Sequence, residues 1–200
     1  MAKNIAVVSY DTDPTSAGVA DAIVFLDTLI GDGYSAELIH QWAFDETNAG
    51  TFKKAKFWDK FDGVVITSFY GFWNLRELIL SRRPVICANS DYVDDLGLGQ
   101  NPQEHLSENS FNVVNNAHPI IAGVGLPLGP VNVGDSVFMD SISTLNHNVD
   151  TLVATLANQA VLVTHQTHKL AYFGWYRMSQ ASKGSPLFGL LAQTAKWVFQ

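Results

Sequence analysis

Four short apolar runs, spaced by turns and by segments with helical periodicity, constrain this fold more than any other feature. They are Asn4–Tyr10, Ala36–Ile39, Val64–Ser68 and Pro84–Ala88. Each is short and apolar, as in strands buried on both faces of a sheet. Between the first two, Val19, Ile23, Leu26 and Ile30 recur at spacings of four, three and four, predicting one face of a helix. Thr15 or Ser16 is placed to cap it, and Gly31 and Gly33 to end it. Phe52–Trp58 predicts a second helix. A third follows Asn74 through Leu75, Leu78 and Ile79, closed by Arg82-Arg83, where cations favour the carboxyl end of the helix dipole. Strand–helix–strand units cross over right-handed and parallel, so the four strands are expected in spatial order 2-1-3-4 with helices on both faces.

The pattern then changes. Ser90–Pro130 is rich in Asn, Asp and Gly, with short apolar runs at Phe111–Val114 and Ile120–Val124, and is expected to be an excursion with minor structure. Val131–Ser141, Leu152–Leu156, Ala160–Thr164 and Leu170–Gly174 follow too closely for helical crossovers, so part of the sheet should be antiparallel. Ser185-Pro186 opens a last helix with a cap and a proline at its first position, and Leu187, Leu191, Ala195 and Val198 form its apolar face. The expectation is a single α/β domain over residues 1–200. Its architecture would be a flavodoxin-like three-layer α/β/α, with a mostly parallel sheet and an antiparallel extension in the C-terminal half.

Charge narrows the partners. The net charge is −7, and Lys53, Lys54 and Lys56 are the densest basic group, with acids around them. A nucleic-acid binder needs a basic stripe to displace counterions, so nucleic acid is not expected. No apolar stretch has the length of a membrane span, and no apolar run before Asp11 has that of a signal-peptide core, so a membrane partner is not expected and the cytoplasm, or a particle assembled there, is the expected location. The single cysteine, Cys87, permits no intrachain disulfide.

Three stretches carry a family resemblance. They are the opening Val-Val-Ser-Tyr-Asp-Thr-Asp strand and its helix, the run from Asn115 through Ala117-His118-Pro119-Ile120-Ile121 to Gly123-Val124, and Lys169-Leu170-Ala171-Tyr172-Phe173-Gly174-Trp175 with the last helix. Together they resemble ThuA-like and class I glutamine amidotransferase-like domains, and the likeness spans most of the chain in the order of its elements. The resemblance implies a cysteine at a sharp strand-to-helix turn, with a His and a Glu near the C-terminus that activate it. Here Cys87 lies inside the fourth apolar run without flanking glycines. Trp175 and Tyr176 stand where the base is expected. The implied triad is therefore missing from the implied places, and no catalytic residue, metal or cofactor is expected.

Other candidates each have a plain structural reading. Ser90 follows the fourth strand and could be a nucleophile, or a turn serine beside the solvated Asp91, Asp94 and Asp95. It would need a base, and only His118, His165 and His168 are candidates. His165 and His168 lack the further ligands of a zinc site, and His118 before Pro119 reads as fixing a turn. Asp11 and Asp13 close the first strand, where open α/β sheets place ligands, or simply turn the chain there. Their charge would repel a phosphate. Tyr70, Phe72 and Trp73 follow the third strand, and Trp175 and Tyr176 follow the last. Both loops belong to the carboxyl edge of the sheet. Aromatic surface with carboxylates beside it suits a sugar or a protein partner, although the rings could equally pack under the excursion.

The expected function is therefore a non-catalytic binding or assembly module, for example a structural or virion-associated protein. It would use Asp11, Asp13, Tyr70, Phe72, Trp73, Trp175 and Tyr176 to bind a protein or carbohydrate, with a homo-oligomer also open. The alternative is a hydrolase or amidotransferase-like enzyme with a rearranged site around Ser90 or His118.

Overall fold

A computed structural model describes residues 2–16, 19–41, 59–67, 78 and 82–200. The described strands are β1 (Asn4–Ser9), β2 (Ser35–His40), β3 (Gly63–Ile66), β4 (Val85–Cys87), β5 (Gly99–Val113), β6 (Gly129–Leu145), β7 (Val149–Ala154), β8 (Ala160–His165) and β9 (Leu170–Phe173). The helices are α1 (Ala20–Gly31), α2 (Pro119–Val124) and α3 (Pro186–Phe199). The expected helices at Phe52–Trp58 and after Asn74 lie outside the described residues, Leu78 apart. None of the described helices is long and apolar enough to cross a membrane.

The strands form one sheet in the order β2-β1-β3-β4-β9-β8-β6-β5-β7. β2, β1, β3, β4 and β9 are mutually parallel, which gives the expected 2-1-3-4 order. From β9 onward every pairing is antiparallel, and β8 also pairs with β7, so β8, β7, β5 and β6 join in a closed circuit. The sheet is thus mixed, and its antiparallel half is larger than an extension of a mostly parallel one.

The parallel strands are apolar throughout because both of their faces are covered. In β1, Ile5 and Val7 join the core under α1 and α3, while Ala6 and Val8 join a second core with Phe61, Leu78, Tyr92, Val93, Leu96 and Leu98. β3 and β4 alternate in the same way.

Three expectations need correction. α1 buries Val19, Ala22, Phe25 and Leu29, whereas Ile23 and Leu26 are half-buried and Ile30 is 52% exposed. The two stripes are one residue apart, and Phe25 is drawn inward by its edge-on contact with Phe173. The N-cap of α1 is Val19, with no side-chain hydrogen bond, and the Val19 amide donates to the Ser16 carbonyl.

The third correction is the excursion after Ser90. It contains β5, which pairs with β6 along most of its length. Pro102 and the polar residues around it argue against a strand. They are tolerated because, among the described strands, that stretch of β5 pairs only with β6; β7 reaches only Asn112 and Val113. The last helix is as expected: Ser185 accepts from the Leu187 amide, and Leu187, Leu191, Ala195 and Val198 are buried.

Candidate functional site at the carboxyl edge of the parallel strands

The parallel strands β1, β3, β4 and β9 end at one edge. β4 ends at Cys87, and Asn89 then caps a 3-10 turn, Ser90–Tyr92, by accepting from the Asp91 amide. β9 ends at Phe173, and Gly174 passes between two strands: its amide donates to the Val161 carbonyl, and its carbonyl accepts from the Asp140 amide. A Cβ at Gly174 would run into the Asp140 carbonyl oxygen and stand 2.9 Å from that of Val161, so only glycine lets β6 and β8 close on the chain here.

That closure brings Asp140 of β6 over the end of β4. Ser90 Oγ donates to Asp140 Oδ2 at 2.8 Å, and Tyr172 Oη donates to the Asp140 carbonyl at 3.0 Å. Asp140 is 7% exposed and Ser90 9%. A carboxylate buried this far must be hydrogen-bonded, and the serine satisfies part of that need. Burial, then the neighbouring Asp140, raises the Tyr172 phenol well above its ordinary value, so it stays a neutral donor.

Cys87 lies on the same side, fully buried. Its thiol contacts the Asn89 carbonyl at 3.1 Å. Burial pushes its pKa up to about 12, which leaves no thiolate near neutrality. The backbone at Ser90 is also relaxed. Among described non-glycine residues only Arg82, Asn101 and Asn158 have positive φ, so this turn lacks the strain of a nucleophile elbow.

The three histidines weighed as bases for Ser90 are not brought to it. His165 ends β8, antiparallel to β9, and His168 precedes β9, so both sit at the amino edge, with ring centroids 4.6 Å apart. His118 caps α2 and lies 5.3 Å from the Trp197 ring, whose other neighbour is Lys169, again before β9. Burial first, and then Lys169, lowers the His118 pKa against an opposing pull from Asp150. No group of three metal-ligating side chains occurs among the described residues.

The residues expected to form the binding face fare differently. Tyr70, Phe72 and Trp73 lie outside the described residues. Asp11 and Asp13 are at the edge, but they turn the chain: Asp11 accepts from the Asp13 amide at 3.0 Å, and Asp13 accepts from the Thr15 amide and hydroxyl at 2.9 and 2.7 Å. These bonds hold both carboxyl pKa values below the ordinary range.

Trp175 is at the edge but 0% exposed. Its ring meets Phe111 at 5.3 Å and Phe173 at 5.0 Å, both edge-on. It is core and presents no surface, because β5 carries Phe111 across it. Tyr176 is half-buried, 6.3 Å from Phe138. The Arg177 guanidinium lies 4.2 Å from the Phe138 ring and 5.5 Å from that of Tyr176. The sequence reading missed Asp140, Phe138 and Arg177. An acid inside the apolar run of β6 was the available signal, since a strand-buried carboxylate demands a partner.

No protein-family model matches this chain, and no curated protein matches it. Solved structures do. A ThuA-like protein from Bacteroides uniformis superposes with TM-score 0.64 at 14% identity, over 98% of this chain and 91% of that one. A GMP synthase-type protein from Thermoplasma acidophilum gives 0.59 at 13%, over 98% and 96%. The glutaminase domain of Trypanosoma brucei CTP synthase, solved with acivicin bound, gives 0.58 at 12%, over 98% and 93%. At such identities the likeness concerns architecture alone. This chain has the fold of ThuA-like and class I glutamine amidotransferase-like proteins.

Proposed function

We propose that this chain is a non-catalytic binding or assembly module, built on a flavodoxin-like frame, whose carboxyl edge contacts a protein partner. The observation that carries the reading is Trp175. The strand end where the resemblance implies a base holds a fully buried indole packed on Phe111 and Phe173. At the end of β4 the thiol of Cys87 is buried and protonated, and the acid–hydroxyl pair of Ser90 and Asp140 is buried as well. Among the described residues, the half-buried Tyr176 and Phe138 and the exposed Arg177 reach the surface here. Aromatic rings stacked with an arginine are the side chains that anchor protein interfaces.

One observation favours a second reading. Ser90 is hydrogen-bonded to the Asp140 carboxyl at 2.8 Å and sits where the β4 loop would present a nucleophile, which fits a serine hydrolase with a rearranged site. Two assays separate the readings: ammonia release from glutamine, and labelling by a fluorophosphonate. A binding module gives neither above a Ser90→Ala control. Labelling that disappears in Ser90→Ala would establish the enzyme and end the first reading. For the module, sedimentation of the wild type and of Tyr176→Ala and Arg177→Ala reports self-association through this edge, and a glycan array reports the carbohydrate alternative.

A further inference from the structure

The Arg82-Arg83 pair lies at the end of the sheet opposite Ser90, since both arginines precede β4. Arg83 is engaged: one guanidinium nitrogen meets Asp59 at 2.8 Å and another donates to the Phe61 carbonyl. Arg82 is different. It has φ 51°, a left-handed backbone that arginine rarely adopts, and it is exposed. It makes no hydrogen bond or ion pair among the described residues.

Both arginines border a cavity of about 350 Å³ between the starts of β4 and β9. Leu78, Val85, Leu96 and Leu170 form its floor, and Arg82, Arg83 and His168 line it as well. The four floor residues are buried members of the second core, so the cavity is a recess in packed structure with an apolar base. A volume at the lower end of ligand pockets, apolar walls and few convergent polar groups make the usual composition of a small-molecule site. The charge is informative because the chain as a whole carries −7. A cationic mouth over an apolar floor runs against that field. It matches a ligand with a compact apolar body and one negative group, which a guanidinium can grip through two parallel hydrogen bonds. A free phosphate would gain nothing from the floor, and a neutral hydrocarbon nothing from Arg82.

We propose that this cavity binds a small organic anion, its apolar body on the leucine floor and its carboxylate or sulfonate on Arg82. The site is separate from the carboxyl edge and stands whether or not that edge binds a partner.

The test uses two dyes that differ in the sulfonate, 8-anilino-1-naphthalenesulfonate and N-phenyl-1-naphthylamine, followed by fluorescence. The wild type should bind the sulfonate at one site per chain, displaced by 3-phenylpropanoate and not by 3-phenylpropanol. Arg82→Ala should weaken the sulfonate at least tenfold while leaving the neutral dye unchanged, and Arg82→Lys should recover part of the loss. Retention of the neutral dye shows that the recess has stayed folded. Equal sulfonate binding by wild type and Arg82→Ala, or parallel loss of both dyes in a variant whose thermal unfolding is unchanged, overturns the proposal.

Discussion

Replacing Trp175 with alanine and with phenylalanine should have very different consequences, and the contrast follows from how the indole is buried. Trp175 is fully enclosed, with edge-on contacts to Phe111 and Phe173. Truncation to alanine removes the apolar area, leaves a cavity and breaks two aromatic contacts; for a buried Trp the expected loss is ~3–5 kcal/mol, within which each ring pair accounts for roughly 0.5–1.5 kcal/mol. That is a large share of the ~5–15 kcal/mol that typically separates folded from unfolded chains. Phenylalanine is another matter, because Nε1 of Trp175 is buried without a hydrogen-bond partner. An unsatisfied buried donor costs about 1–3 kcal/mol, and phenylalanine removes it. The smaller ring gives back on the order of 1 kcal/mol through lost contacts. The two effects offset, so Trp175→Phe should unfold within ~1 kcal/mol of wild type. Urea denaturation followed by circular dichroism measures both variants. A loss below ~1 kcal/mol for Trp175→Ala would mean that the indole is at the surface and would refute the packing argument. Equal large losses in both variants would mean that the indole N–H is satisfied.

Further outcomes follow from the same geometry. Gly174→Ala should destabilise by ~1–3 kcal/mol or more, because the added methyl enters the space of two backbone carbonyls; thermal unfolding against wild type reads this, and an unchanged midpoint would contradict the close approach. Ser90→Ala removes a hydrogen bond to a buried carboxylate and should cost about 1.5–3 kcal/mol, measured by urea denaturation. Cys87, buried and with its pKa pushed up to about 12, should react with a thiol reagent only as fast as the chain globally unfolds, so native labelling near the rate of the denatured protein would be inconsistent with its position. The His118 and His165 pKa values are lowered in the folded state, chiefly by burial, so the unfolded chain binds more protons in that window. Their stability contribution is complete above the unfolded pKa of ~6.5 and is lost as pH falls through the folded values. His118→Asn, which keeps an N-cap acceptor, should flatten the fall between pH 7 and 5, and an unchanged slope would show that His118 does not contribute to it.

The sequence alone determined four of the five parallel strands, β2, β1, β3 and β4, and their order, but not the parallel place of β9 beside β4. Apolar runs such as Ile5–Val8 and Val64–Ile66 have few alternatives to strands covered on both faces, and the helical periodicity read between the runs predicts parallel crossovers. It also determined the start of α3, since Ser185-Pro186 satisfies and pre-forms a first turn by purely local chemistry. Local signals could not decide which stripe of α1 faces inward. Ile23–Leu26–Ile30 and Ala22–Phe25–Leu29 have nearly the same spacing, and the sheet selects the second by accepting Phe25 against Phe173. Nor did β5 announce itself, because a strand held by backbone hydrogen bonds to β6 needs no apolar alternation where its side chains face solvent. The candidate site depends on that missing strand. The sequence placed Trp175 at the carboxyl edge correctly and left its exposure open to two readings. Only the tertiary structure, by laying Phe111 over the indole, turned Trp175 from expected surface into core, and only it carried Asp140 across to Ser90. Burial is a property of what arrives from elsewhere in the chain, and a residue's own neighbours in sequence do not encode it.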